Sequence, residues 1–293
     1  MTKITTKISR FYHKRVIPRI QRELCLDELS NNLMTVLDSA VDITKCNPAT
    51  GKMRDIQLAD TELLKLVDLL CEKNGLTYWL DWGTLLGAVR HKGFIPWDDD
   101  LDICMPREDF VRAIPIFSDF FSGRPGFDVS GAEYAEENAR IWIAYWYSSV
   151  LIDVFPIDSF APEKEKTEDD IALQVIACRK GECASSDASP EQTNEQNERI
   201  YYYASNVWNQ PKYFKGSAIF PLKKLPFEQY EFNVPNDCDR YLSIEYGNYM
   251  AFPRNGILHH HGIVDNERYS TESQRQAITA IKAMQQELLD SEK

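Results

Sequence analysis

Four carboxylates in five positions, Asp98, Asp99, Asp100 and Asp102, sit inside an apolar stretch that begins Gly93-Phe94-Ile95-Pro96-Trp97 and continues through Leu101, Ile103, Cys104 and Met105. A solvated acidic tail would have polar flanks. Here a Pro-Trp step precedes the acids and a strand-like Leu-Asp-Ile-Cys-Met follows, so the chain carries mutually repelling charges into a structured region. Uncompensated, such burial costs on the order of several kcal/mol per ion. The pattern therefore predicts a divalent cation as partner, with a structural ion-pair network as the alternative.

Alternate residues of a strand share a face, roughly 6–7 Å apart. Asp100 and Asp102 then lie side by side, with Leu101 and Ile103 turned into the core, and Asp98 shares their parity if the strand begins early enough. Asp99 points the other way and is the acid least expected at a metal. Hard oxygen donors at this spacing suit Mg²⁺, or Mn²⁺, which keep several waters and bridge to substrate phosphates. Asp153, in Leu151-Ile152-Asp153-Val154-Phe155, is an isolated acid among apolar residues. It is read as a third carboxylate of the site, against the alternative of a strand-end acid paired with arginine. Asp158 is read as a turn or cap residue.

Upstream, the aromatic run 77–82 leads into Gly83-Thr84 at an expected helix start, where free backbone N–H groups and the helix dipole favour a phosphate. Glycine allows close backbone approach, and Thr84 caps the helix or donates to a phosphate oxygen. Arg90, His91 and Lys92 then place three cationic donors just before the acids, with Arg90 suited to clamp a phosphate bidentately. Their alternative is simple pairing with Asp98 and Asp99. A basic loop beside an acidic cluster matches the needs of phosphoryl transfer, which are positioning and charge neutralisation.

The run from Trp79 to Ile103, with Gly83-Thr84-Leu85-Leu86-Gly87 and Trp97-Asp98-Asp99-Asp100-Leu101-Asp102 at its heart, resembles the signature of the LicD family. That family includes bacterial phosphocholine transferases and relatives of fukutin and fukutin-related protein. Ile152-Asp153-Val154-Phe155-Pro156, Ile219-Phe220-Pro221-Leu222 and Tyr246-Gly247-Asn248-Tyr249 resemble further family blocks. The resemblance covers residues 54–262. It implies an α+β, nucleotidyltransferase-like fold, a mixed sheet flanked by helices, with an additional helical and irregular C-terminal subdomain. It also implies donor phosphates at Gly83 and Thr84, Mg²⁺ on Asp98, Asp100, Asp102 and Asp153, and catalytic roles for Asp100, Asp102 and Asp153. The implied reaction moves a phosphorylated alcohol such as phosphocholine from a CDP-linked donor to a hydroxyl of a cell-surface glycan or its lipid-linked precursor, releasing CMP. A D-x-D glycosyltransferase, a pyrophosphate-releasing nucleotidyltransferase and a non-catalytic scaffold remain the alternatives. Trp142, Tyr145, Trp146, Trp208 and Tyr246 are aromatics that suit a quaternary ammonium, and core packing explains them equally well. His259-His260-His261 reads as an acceptor contact or a surface run.

The formal net charge of −12 argues against nucleic acid as partner. Residues 1–22 nevertheless hold seven basic side chains and no acid, while the remainder carries 26 basic against 45 acidic residues. With Ile4, Ile8, Phe11 and Tyr12 at helical spacing, this basic segment is expected to touch the inner membrane peripherally or to pack on protein. No 18-residue apolar run and no secretory h-region occur, and seven scattered cysteines fit reduced thiols. The expected location is cytoplasmic, and peripheral at the membrane face where that segment binds lipid and does not pack on protein.

Three regions are expected: a basic helical segment 1–45, the catalytic domain 54–262 with a polar excursion at 163–199, and a C-terminal helix in 263–293. Asp60 is expected to cap a helix over 61–74 ended by Gly75. Strands are expected at 77–82 and 99–104, a helix at 108–118, a hairpin over 140–155 and a helix at 167–180. The proline- and aromatic-rich stretch 219–253 reads as an irregular packed subdomain.

Overall fold

The computed structural model describes residues 17–131, 140–148, 150–162, 167–182, 199–204, 212–252 and 270–291. The chain divides into two compact units, Met1–Cys46 with Tyr249–His259 and Asn47–Asn248 with His260–Lys293.

The first unit contains helix α1, Ile17–Ala40. Pro18 lies in its first turn, where a missing N–H costs nothing because that turn has no intrahelical acceptor. A single 3-10 turn, Ile43–Lys45, follows, and the Asp42 carboxylate caps it by accepting the Thr44 N–H. The Phe252 N–H donates to Asp38 Oδ1 at 2.7 Å.

The second unit is an α+β structure built on a mixed sheet. Helix α2 spans Gly51–Asn74 and ends at Gly75, as the sequence predicts, but starts ten residues before the expected Thr61. Asp60 therefore lies inside the helix and is fully buried rather than capping it. The reason is packing: Ile56, Ala59, Leu63, Leu66, Val67 and Leu70 are buried at helical spacing, so the apolar stripe continues upstream of the expected start. Helix α8, Thr271–Asp290, lies along α2 and buries Ala277, Ile281, Met284 and Leu288.

Strand β1 (Trp79–Leu80) leads into helix α3 (Trp82–His91), and β2 (Leu101–Pro106) leads into helix α4 (Arg107–Phe121). Next come β3 (Phe127–Ser130), β4 (Ile141–Tyr145), β5 (Val150–Phe160), helix α5 (Glu168–Arg179), β6 (Ile200–Tyr202) and β7 (Tyr213–Lys215). The sheet order is β1-β2-β5-β4-β3, with β6 joined to the far end of β5 and β7 to β6. Only β2 and β5 run parallel among the described pairs; the rest are antiparallel. The expected hairpin over 140–155 is β4–β5, and the expected helix near 167–180 is α5, with a capping box at Thr167 and Asp170.

Residues 216–246 are more regular than expected. Helix α6 (Gly216–Ile219) precedes a two-stranded hairpin, β8 (Lys223–Phe227) with β9 (Tyr230–Val234), and then helix α7 (Cys238–Tyr246). Prolines hid the hairpin: Pro226 lies inside β8, a position open to proline only in an edge strand. Asp158 is likewise no turn residue. It lies within β5 and takes a two-pronged ion pair from Arg107, Nε at 2.8 Å and Nη2 at 2.9 Å. Cys178 is disulfide-bonded, against the expectation of reduced thiols, while Cys46, Cys71, Cys104 and Cys238 are free.

Candidate active site

The site grows from the register of the parallel pair. Asp102 on β2 is the Cα partner of Asp153 on β5, and Asp153 is in turn the partner of Trp142 on β4. Residues in register share a face, so these three side chains form a row across the sheet. The neighbouring rows, Leu101–Ile152–Ile143 and Ile103–Val154–Ile141, are fully buried on the other face. The apolar face fixes the register, because a one-residue slip would turn the core residues outward. The carboxylate row is thus a consequence of core packing.

One carboxylate oxygen each from Asp100, Asp102 and Asp153 lies within 4.8 Å of the other two. The same holds for Asp98, Asp99 and Asp100. The expectation for Asp99 rested on a strand starting at 99, but β2 begins at Leu101, so strand parity does not govern it. Asp99 is buried within the turn that carries Asp98 and Asp100. That turn is closed by the Asp98 N–H donating to Ile95 O at 3.0 Å. Gln57 of α2 clamps it from below, with Nε2 donating to Asp98 O at 2.9 Å and to Ile95 O at 3.3 Å.

The segment 81–84 holds Asp102 from the other side. The Asp81 N–H donates to Asp102 O at 3.0 Å, and the Asp102 N–H donates to Thr84 Oγ1 at 2.8 Å. Thr84 therefore anchors the acid-bearing strand, while the cap of α3 is Asp81, whose Oδ1 accepts the Trp82 N–H at 2.9 Å. Trp82 has φ +46°, unusual for a bulky residue. It is held there by stacking on Phe155 (centroids 5.6 Å) and by Tyr203 (5.5 Å). Gly83 leaves space for Asp98: a Cβ built on it would lie 2.8 Å from Asp98 Oδ2. The group close to this glycine is a carboxylate, not the phosphate expected there.

Two unit charges about 4 Å apart repel by roughly 4 kcal/mol at an effective dielectric of about 20, so this cluster is electrostatically strained. Burial, and then the charge of Asp100, push the Asp98 carboxyl well above its ordinary range. Asp102 is pushed up by burial and by Asp100, Asp153 and Asp98. Arg140 offsets part of this, with Nη1 2.9 Å from Asp153 Oδ2 and the guanidinium over the Phe155 ring. The arginine pairing weighed for Asp153 is therefore present, and it coexists with membership of the carboxylate cluster. Compact, all-oxygen donor sets of this kind suit a hard divalent cation.

The basic segment is less uniform than expected. Arg90 is buried at the end of α3, whereas the Lys92 side chain is exposed. His91 is held down to about 4 by burial and by the charge of Arg90, so at neutral pH it is an uncharged imidazole and not a cationic donor. Lys92 enters the framework through its backbone: its carbonyl accepts the Glu228 N–H at 2.8 Å, and Glu228 Oε1 accepts the Phe94 N–H at 3.2 Å. Arg54 closes this brace with 2.8 Å and 2.5 Å contacts to the two Glu228 oxygens.

Behind α3 lies a buried network missed from the sequence. Asp81 accepts hydroxyl donors from Tyr203 (2.5 Å) and Tyr241 (3.0 Å), and burial and the charge of Glu245 push its carboxyl up to about 7. Asp60, Gln57, Arg140 and Glu228 were missed as well. Their signal was weak: polar residues on or beside a helix or hairpin whose partners are 13 to 174 positions away. Of the aromatics considered for a headgroup, Tyr145 is buried against Phe127 and Tyr147, while Trp146 and Tyr246 are exposed. Trp208 and His259–His261 lie outside the described residues.

The family described as LicD/FKTN/FKRP, nucleotidyltransferase domain, matches residues 75–237. The chain is 31% identical over 146 residues to the lipopolysaccharide cholinephosphotransferase LicD of Haemophilus influenzae, covering 44% of this chain and 55% of that protein. It is 49% identical over 59 residues to an uncharacterised Rickettsia prowazekii protein, 20% of this chain and 22% of the relative. It is 46% identical over 48 residues to human ribitol 5-phosphate transferase FKRP, 16% of this chain and 10% of that protein. The chain thus matches about half the length of the Haemophilus protein and smaller parts of the others.

Proposed function

The chain belongs to the LicD family, and from that premise we propose that it transfers a phosphorylated alcohol from a CDP-linked donor to a hydroxyl of a cell-surface glycan or its lipid-linked precursor, releasing CMP. The observation that carries this reading is the in-register Asp102–Asp153 pair with Asp100 beside it, three carboxylates within 4.8 Å. The relatives' printed names support the substrate class, one a cholinephosphotransferase and one a ribitol 5-phosphate transferase.

Asp100, Asp102 and Asp153 hold Mg²⁺, or Mn²⁺, with Asp98 beside them. The ion, when bound, neutralises charge on the transferred phosphate and on the departing CMP. The acceptor oxygen attacks the phosphorus bearing the alcohol, the bond from that phosphorus to the bridging oxygen breaks, and the acceptor proton leaves to a carboxylate of the cluster. Gly83 and the start of α3 face the donor phosphates, with the positive end of the helix dipole toward them. Arg140, half-exposed and tethered to Asp153, is placed to turn toward the donor, and Arg90 adds positive charge at the other end of α3. Neutral His91 contributes a hydrogen bond, not a charge. We place the chain at the cytoplasmic face of the membrane, where the basic composition of residues 1–22 would favour anionic lipid. No helix among the described residues is long and apolar enough to cross a membrane.

The test is ligand-induced thermal stabilisation with CDP-choline, CDP-ribitol, CDP-glycerol and CDP-ethanolamine, each with and without Mg²⁺, since binding to the folded state alone raises its stability. One of the four is expected to raise the melting temperature only with Mg²⁺. No shift with any of them, with or without the ion, sinks the donor assignment.

A further inference from the structure

The acid-bearing face of the sheet continues past Asp153 onto β4 and β3. Residues two apart along a strand share a face, so Arg140, Trp142 and Ala144 form a column beside Asp153, and Trp146 follows at the head of the strand. Trp142 is half-buried and Ala144 buried, whereas Trp146 is more than half exposed. The Trp146 N–H donates to Gly126 O at 2.8 Å, which carries the β3–β4 pairing one rung beyond Tyr145. On β3 the register partners of Trp142 and Ala144 are Ser130 and Asp128, and the Ser130 hydroxyl donates to the Asp128 carboxylate. Two indoles thus flank a small alanine, with a hydroxyl and a carboxylate along one side and the acid row along the other.

We propose that this trough is the subsite for the glycan acceptor, with Trp142 under the sugar ring that carries the attacking hydroxyl and Trp146 under a ring farther along. This rests on the transferase reading above and deepens it by naming where the acceptor lies. A pyranose has an apolar C–H face and a rim of hydroxyls, so it suits a rigid aromatic surface with polar atoms at its edge. Asp128 and Ser130 supply that edge. Trp142 is the register partner of Asp153, with backbones roughly 5 Å apart, so a sugar on its ring has a hydroxyl within reach of a phosphorus held at the acid row. A quaternary ammonium headgroup fits this surface less well. Aromatic recognition of such a cation uses rings that cage it, but Trp142 and Trp146 are four positions apart on one strand, about 13 Å. The aromatic face nearest Asp153 already carries a positive charge, the Arg140 guanidinium over Phe155, and a second cation beside it is repelled. The trough therefore favours a neutral ligand.

The experiment is an array of bacterial lipopolysaccharide-core and capsular oligosaccharides probed with the labelled chain in EDTA, so that neither metal nor donor takes part. The best-retained oligosaccharide is then titrated calorimetrically. Retention of one glycan class is expected. Trp142→Ala and Trp146→Ala should each weaken its binding on the order of tenfold, and Trp142→Phe should recover part of the loss because a stacking surface returns. Stabilisation by a CDP-linked donor with Mg²⁺ should match wild type in all three. Retention of no oligosaccharide, or unchanged affinity in both alanine variants, overturns the subsite. Loss of donor stabilisation with glycan affinity unchanged gives the trough to the headgroup and overturns it too. Glycan binding that depends on both tryptophans, without donor stabilisation of wild type, upholds the subsite and sinks the donor assignment alone. Trp146 is exposed and its replacement leaves the core intact, so Trp146→Ala decides by itself should Trp142→Ala fail to fold.

Discussion

Asp102 and Asp153 face one another in register across the only parallel strand pair among the described residues, so two acids 51 positions apart are brought together by the same pairing that buries Leu101, Ile103, Ile152 and Val154. The repulsion between the acids is sustained by the apolar rows on either side. The acid row is therefore held at a cost to stability.

That cost is measurable. Asp102→Asn removes one charge from the cluster and keeps the side-chain shape. Without divalent cations it should melt higher than wild type, by about 1–2 kcal/mol of added stability. It should also lose the stabilisation that Mg²⁺ gives wild type, and turnover with it. A variant that melts lower without metal and still responds to Mg²⁺ would contradict the electrostatic account.

Two glycines of α3 should respond differently to alanine. At Gly87 a Cβ would meet the Gly93 carbonyl oxygen at 2.4 Å, backbone that cannot easily yield, so Gly87→Ala should cost about 1–3 kcal/mol in chemical denaturation. At Gly83 the obstacle is the Asp98 carboxylate, a side-chain tip that can rotate away. Gly83→Ala should therefore leave stability within about 1 kcal/mol of wild type and weaken Mn²⁺ binding by displacing Asp98. Equal losses of stability in the two variants would count against this assignment.

On the proposed reading, Arg140 would compete with a cation for Asp153. Its side chain is half-exposed, so the ion pair contributes at most about 1 kcal/mol to stability. Arg140→Gln should fold normally and bind Mn²⁺ severalfold more tightly, as isothermal titration calorimetry would show. Weaker binding in this variant would mean that Arg140 orients Asp153 toward the ion instead of sharing it.

The ionisation of His91 and Asp81 gives two pH signatures of opposite sign. His91 has a folded pKa lowered from 6.5 to about 4, so its contribution is complete above pH 6.5 and fades as pH falls toward 4. Its ring-proton NMR signals should move with a midpoint near 4, and a midpoint near 6.5 would show that it is not buried as described. Asp81 has a folded pKa raised from 3.8 to about 7, so its contribution is complete below pH 3.8 and fades as pH rises through 7. Asp81→Asn should flatten that part of the fall in metal-free melting temperature between pH 4 and 8, and a slope unchanged from wild type would remove Asp81 as its source.

Much of this was legible in the chain. The acids at 98–102 and 153, the Gly83-Thr84 helix start, the β4–β5 hairpin and helices α5 and α8 follow from local patterns of period two or 3.6 and from capping residues. What failed to show was set by partners far along the chain. The parity argument for Asp99 failed because the turn at 95–98, held by Gln57, delays the strand to Leu101. Asp60 looked like a cap because aspartate before a leucine-rich run usually is one, and only Leu151, 91 residues later, gives it an internal role. His91 read as a cation because burial beside Arg90 is invisible in a linear string. Local rules thus found the acids, and tertiary contacts decided which of them meet.

The most direct measurement is the identity of the nucleotide product. Metal-stripped protein is given a CDP-linked alcohol and a glycan acceptor, then Mg²⁺, and the nucleotides are resolved by anion-exchange chromatography. CMP is the expected product, formed in step with phosphorylated-alcohol transfer, absent in EDTA and absent in Asp102→Asn. CDP or pyrophosphate as the product, or CMP formed at an undiminished rate by Asp102→Asn, would contradict the proposed transfer.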